Sequence, residues 1–171
     1  MDQTKWYKSP EMLVALSALF IGVLTAIISI YSAYIDRAYA RASVWPKLEI
    51  YRSFRGDTFS YVVANRGTGP AIIEYAKINV GEKIIKRWDE VDIFSKIGQS
   101  HISSVTLTPE QTVTPLLYEG DLVSDILELD KSIGMELCYC SVYGDCWVVN
   151  RNNEAKPTGE CFIKNEEAFI Q

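Results

Sequence analysis

Residues 12 to 35 read MLVALSALFIGVLTAIISIYSAYI, 24 consecutive residues without Asp, Glu, Lys or Arg. As a helix the run spans about 36 Å at about 1.5 Å per residue. A bilayer's hydrocarbon core is about 30 Å thick and is crossed by about 20 apolar residues. A helix packed on a soluble core carries a polar stripe, and this run has none, so it reads as a single transmembrane helix. Trp6 and Tyr7 precede it, and Tyr31, Tyr34 and Tyr39 close it, the placement expected of rings that prefer the headgroup level. A cleaved leader is the competing reading, because Lys5 and Lys8 give a basic start and Ala38-Tyr39-Ala40 imitates a cleavage site. The apolar stretch of a leader is only about 7 to 15 residues, however, and Asp36 and Arg37 intervene before that site.

Lys5, Lys8 and the amino terminus lie before the helix, and Arg37, Arg41, Lys47, Arg52 and Arg55 follow it. Under the positive-inside tendency, this balance places the remainder of the chain on the cytoplasmic side. One helix face is made of small residues. Ala15, Ala18, Gly22, Thr25, Ser29 and Ser32 recur at alternating spacings of three and four, and Ala18, Gly22 and Ala26 form an overlapping row. Small residues allow close helix approach in lipid, where hydrophobicity gives no drive to associate. The face therefore predicts self-association into a homo-oligomer, with membrane lipid as the other partner.

The chain divides into residues 1–45 (tail, membrane helix and a juxtamembrane extension) and 46–171, one β domain. Pro46 ends the helix, since proline disfavours helix at the residue before it. Past residue 35 the chain carries 15 Lys and Arg against 20 Asp and Glu, a balance that argues against nucleic acid as a partner. The acids Glu119, Asp121, Asp125, Glu128 and Asp130 read as a solvated face. Leu48–Tyr51 and Phe59–Val63 alternate around Arg55-Gly56-Asp57, predicting a hairpin with ordinary turn chemistry at that tripeptide. Ala71–Val80 reads as a long strand with Ile72, Ala76, Ile78 and Val80 on one face, turning at Gly81-Glu82. Asp89 is expected to cap a short helix carrying Val91, Phe94 and Ile97. Further strands are expected at His101–Leu107, Gln111–Tyr118, Met135–Tyr143, Cys146–Asn150 and Cys161–Lys164, with Leu122–Leu129 either a short helix or an irregular crossover. Some eight short strands with regular turns favour an antiparallel β-sandwich.

Asn65-Arg66-Gly67-Thr68-Gly69-Pro70 is a dense turn signal. Asn65 can bond its own backbone, Gly67 and Gly69 supply backbone freedom, and Pro70 suits the first residue of a strand. With Ala71 it resembles the Asn-x-Gly-x-Gly-Pro-Ala signature of small bacterial single-pass membrane-anchored β proteins. The anchor junction Ser29–Tyr34 with Arg37, and residues 139–147, YCSVYGDCW, fit the same pattern. The resemblance implies an immunoglobulin-like β-sandwich scaffold and no reaction, so no functional residue is carried over.

Motifs for chemistry are sparse. His101 is the one histidine. Ser103 and Ser104 follow it without a nucleophile elbow, so His101 reads as a polar strand residue. No phosphate loop, dinucleotide fingerprint or histidine-based metal motif occurs, and no enzyme, cofactor or metal is expected. Cys138 and Cys140 share a strand face. Cys146 joins that face in a three-residue hairpin loop and leaves it in a two-residue loop. The cysteine spacing is not a zinc pattern, and reduced thiols are expected. A disulfide from Cys161 is the alternative, and it requires an oxidising compartment. The leading functional expectation is a non-enzymatic, membrane-anchored interaction module. Its unidentified partner would be a protein or a small ligand. A rival is a ligand-sensing effector whose assembled helices perturb the bilayer, as in some bacterial antiviral effectors, and a third class is a hydrolase with an unrecognised site.

Overall fold

The computed structural model describes residues 9–95 and 97–170. It forms two compact units that part after Ala42. The first is the membrane-type helix α1, Pro10–Ser43. Pro10 suits the first helical position, where a missing N–H costs nothing, and Ser9 accepts the Met12 N–H at 3.1 Å through its carbonyl. No residue of α1 is buried, and Leu13, Phe20 and Ile28 are each at least 60 % exposed. A continuous apolar surface of this kind marks an interaction face, for a membrane or for another protein. The helix is long and apolar enough to cross a membrane, and it runs on past the uncharged stretch to Ser43, as Pro46 requires.

The second unit is mostly β. Its elements are β1 (Leu48–Arg55), β2 (Thr58–Asn65), β3 (Ala71–Val80), β4 (Lys83–Ile85), β5 (Gly98–Gln99), β6 (Val105–Leu107), β7 (Thr112–Glu119), α2 (Val123–Asp130), β8 (Ile133–Cys140), β9 (Cys146–Asn150) and β10 (Lys156–Thr158). One antiparallel sheet runs β1-β2-β7-β5 and a second runs β10-β9-β8-β3-β4, with β6 also on β3. Buried residues of both sheets share one core cluster, as in a sandwich. Trp88 lies within it against Tyr61, Phe94 and Phe169, with ring centroids 5.3 to 5.7 Å apart. β6 and β4 pair with opposite ends of β3, and between them Phe169 N–H donates to the Ala76 carbonyl at 2.9 Å.

Several expectations are corrected. The register of β3 with β8 slips between Ile73 and Tyr75, so the buried set is Ala71, Ile73, Ala76 and Ile78, and Ile72 leaves the core face. A bulge reverses the inside-outside phase of what precedes it. The short helix expected from Asp89 is replaced by two 3-10 turns, Trp88–Glu90 and Asp92–Phe94, separated by extended Val91. Only Val105–Leu107 of the expected strand from His101 pairs, because Ser104 adopts a positive φ of 57°. The last strand is Lys156–Thr158, and Cys161–Lys164 is not a strand. Pro115 sits inside β7 where its register with β2 shifts between Tyr61 and Val63, a position that spares the missing N–H.

Candidate functional site

Directly after α1 the chain enters a clasp built by the Asn65–Pro70 turn. Asn65 is fully buried. Its Nδ2 donates to the carbonyls of Gly69 (2.8 Å) and Leu107 (3.0 Å), and its Oδ1 accepts from Gly67 N–H (3.0 Å) and Lys47 N–H (3.3 Å). The amide side chain is thus satisfied on every side, as a buried one must be. Arg66 N–H donates to Lys47 O at 2.7 Å, and Thr68 and Gly69 N–H donate to Trp45 O at 2.9 and 3.3 Å. A Cβ on Gly67 would fall 2.2 Å from Trp45 O, and one on Gly69 would fall 1.8 Å from Val44 O. The glycines are therefore explained by close backbone approach. The backbone freedom expected of them is not used, since neither is among the glycines with positive φ. The Trp45 ring lies 4.6 Å from that of Trp147. Residues 43–45 fall within the β unit.

On α1 the small face, Ala15, Ala18, Gly22, Thr25, Ala26, Ser29 and Ser32, is exposed throughout. Thr25 and Ser29 hydroxyls donate back to the carbonyls of Gly22 and Thr25 at 2.9 and 2.8 Å, which meets their hydrogen-bonding demand within the helix itself. A Cβ on Gly22 would meet nothing within 4 Å.

A third locus was missed by the sequence reading. Asp130 is not solvated; it is 1 % exposed. Arg52 and Arg151 both form ion pairs with its carboxylate, Arg151 at 2.6 Å, and Tyr61 donates its hydroxyl to Asp130 Oδ1. Arg151 also donates to the carbonyls of Asp130 (2.8 Å) and Ile133 (2.6 Å) and sits 5.4 Å from the centre of the Tyr61 ring. Burial first, then the bond to Asp130, pushes the Tyr61 hydroxyl pKa far up. An open cavity of about 480 Å³ adjoins this network, lined in part by Arg52, Lys131, Asn150, Arg151 and Asn152. Two guanidinium groups against one carboxylate leave the locus cationic within an acidic unit. A signal did exist in the sequence. Val123, Ile126 and Asp130 are spaced by three and four, so Asp130 occupies an apolar-stripe position of α2, and all three are buried.

The cysteines form the fourth locus. Cys138 is bonded to Cys161 and Cys140 to Cys146, so the expectation of reduced thiols is corrected. Cys140 pairs with Cys146 across the β8–β9 hairpin, whose loop is residues 141–145. Cys138, Cys140 and Cys146 therefore share one face, the outcome expected of the three-residue loop, reached with a longer one. Cys161 is brought over that face by the chain after β10. Neither bond joins the two sheets, unlike the disulfide of antibody domains. His101 is exposed, and Ser103 Oγ donates to the Phe169 carbonyl at 2.5 Å. The sequence matches no family model and no curated protein.

Proposed function

We propose that this chain is a single-pass, membrane-anchored interaction module, with no catalytic role, whose α1 helix self-associates and whose β unit is presented on the oxidising side of the membrane. The unburied apolar helix with its face of small residues supports this reading, together with the two disulfides of the β unit. The helix ends at Ser43, and by Lys47 the backbone is bonded to the Asn65–Pro70 turn of the β unit.

The orientation departs from the charge count alone. Lys47 pairs with Glu49 at 2.9 Å, and Arg52 pairs with Asp130. These residues, and Arg55 at the end of β1, belong to the folded unit and leave Arg37 and Arg41 as flanking charges against Lys5 and Lys8. That balance gives no direction, whereas two disulfides persist only in an oxidising compartment.

The rival reading, a ligand-sensing effector that perturbs the bilayer, is favoured by the cationic cavity beside Asp130, which suits a small anionic ligand. One experiment separates the two. Full-length chain carrying donor or acceptor dye is reconstituted in dye-loaded phospholipid vesicles, with inorganic phosphate as the anion probe. The module reading expects energy transfer that Gly22→Ile abolishes, with no leakage at any phosphate concentration. Phosphate-triggered leakage supports the effector, and absence of energy transfer overturns self-association.

A further inference from the structure

The four cysteine sulfurs converge on the outer face of the β8–β9 hairpin, beyond what cross-linking alone requires. Cys140 and Cys146 are directly opposed, with Cα atoms 4.0 Å apart. Disulfides usually span about 4.4 to 6.8 Å between Cα atoms, and departures make the bond more reducible. Cys140 Sγ also lies 3.7 Å from Cys161 Sγ, a partner in the other disulfide. One bond is therefore closed at an unfavourable backbone separation, with a second in contact with it. Cys138 is fully buried, Cys140 and Cys146 are 9 % and 8 % exposed, and Cys161 is half-buried. The cluster thus has a wet edge and a dry interior.

The geometry points to a thiol–disulfide exchange site formed by Cys140, Cys146 and Cys161, whose co-reactant is a dithiol. Exchange proceeds by attack of a thiolate on a disulfide sulfur through a mixed disulfide. A thiolate of the dithiol attacks Cys146 Sγ. A bond from the dithiol to Cys146 forms, the Cys140–Cys146 bond breaks, and the electron pair leaves on Cys140 as a thiolate. The second thiol of the co-reactant, deprotonated, attacks its own sulfur in the mixed disulfide. This closes the co-reactant's disulfide and releases Cys146, which takes up a proton. The dithiol has lost two electrons and the Cys140–Cys146 pair has gained them. The Cys140 thiolate, in contact with Cys161, then attacks Cys161 Sγ. Cys140–Cys161 forms, Cys138–Cys161 breaks, and Cys138 leaves as a thiolate that is protonated in its buried position. This last step is redox-neutral and moves the free thiols from Cys140 and Cys146 to Cys138 and Cys146.

The test uses the full chain in detergent micelles, exposed to graded dithiothreitol, quenched in acid, alkylated and mapped by peptide mass spectrometry. The expected result is an intermediate that has lost one disulfide before the other. Part of that intermediate carries a Cys140–Cys161 linkage with Cys138 and Cys146 alkylated. A Cys138→Ala variant, which leaves Cys161 unbonded beside Cys140–Cys146, is expected to show both the Cys140–Cys146 and Cys140–Cys161 linkages without added reductant. Should this variant fail to fold, the wild-type titration stands by itself. Loss of both native disulfides together, with no Cys140–Cys161 peptide at any reductant level, overturns the proposal. The readout is independent of membrane orientation.

Discussion

Gly69→Ala probes the clasp most sharply. The added methyl would sit 1.8 Å from Val44 O and 2.2 Å from Val44 C, both backbone atoms. No rotamer relieves that contact, so residues 44–47 must withdraw from the Asn65–Pro70 turn. Withdrawal breaks the bonds from Arg66 and Thr68 N–H to Lys47 and Trp45, the longer bond from Gly69 N–H, and the bond from Lys47 N–H to Asn65 Oδ1. Each is worth about 0.5 to 1.5 kcal/mol net, so loss of two to four of them costs about 2 to 4 kcal/mol. The assay is chemical denaturation of the full chain in detergent, followed by tryptophan fluorescence, since the contact of Trp45 with Trp147 opens with the clasp. Tryptic cleavage after Lys47 is the second readout and is expected to accelerate. Gly159→Ala, where a Cβ meets nothing within 4 Å, is the control, expected within about 0.5 kcal/mol of wild type. Stability within that margin for Gly69→Ala, with Lys47–Leu48 still protected, would refute the close-approach account of the turn.

Asp130→Ala leaves half-buried Arg151 without its carboxylate, with only the carbonyls of residues 130 and 133 as acceptors, and is expected to cost about 2 to 3 kcal/mol, below the range for a fully buried pair, measured by the same denaturation; a loss below about 1 kcal/mol would show the network to be a surface feature. At alkaline pH, stability is expected to fall from about pH 10 upward. Burial, then Glu136, pushes Tyr75 up to about 12, and Tyr61 moves in the same direction. The native state therefore holds protons that the unfolded chain has released near pH 10; a flat profile above pH 10 would contradict this. Glu167 is held below the ordinary carboxylate range by Lys77, so its contribution is present above the unfolded carboxylate value and lost as pH falls through the lowered one. Lys77→Met should remove that acid-side dependence in a pH titration of stability.

The parts of the fold legible in the sequence were those with a local cause. The 24 uncharged residues name the helix without any tertiary help. The β1–β2 hairpin and the start of β9 at Cys146 follow from alternation and Gly-centred turns. What escaped depends on partners distant in the chain. The β3 bulge at Glu74 is set by its register with β8, and alternation alone continues straight through it. The clasp glycines were recognised as turn residues, but their constraint comes from a segment some twenty positions earlier. Asp130 was hidden among solvated acids although its place on the α2 stripe marked it as inward-facing. The cysteine pairing depended on hairpin loop length and on where the chain after β10 returns, neither of which spacing specifies.

An anchored β unit on the oxidising side of a membrane is tested most directly by topology. Two reporters are fused in turn after Gln171, one active only in the cytoplasm and one only outside it, and membrane fractions are assayed. The expected result is membrane-bound activity of the external reporter alone. Activity of the cytoplasmic reporter would contradict the assigned orientation and the persistence of the disulfides, and activity in the soluble fraction would contradict the anchor itself.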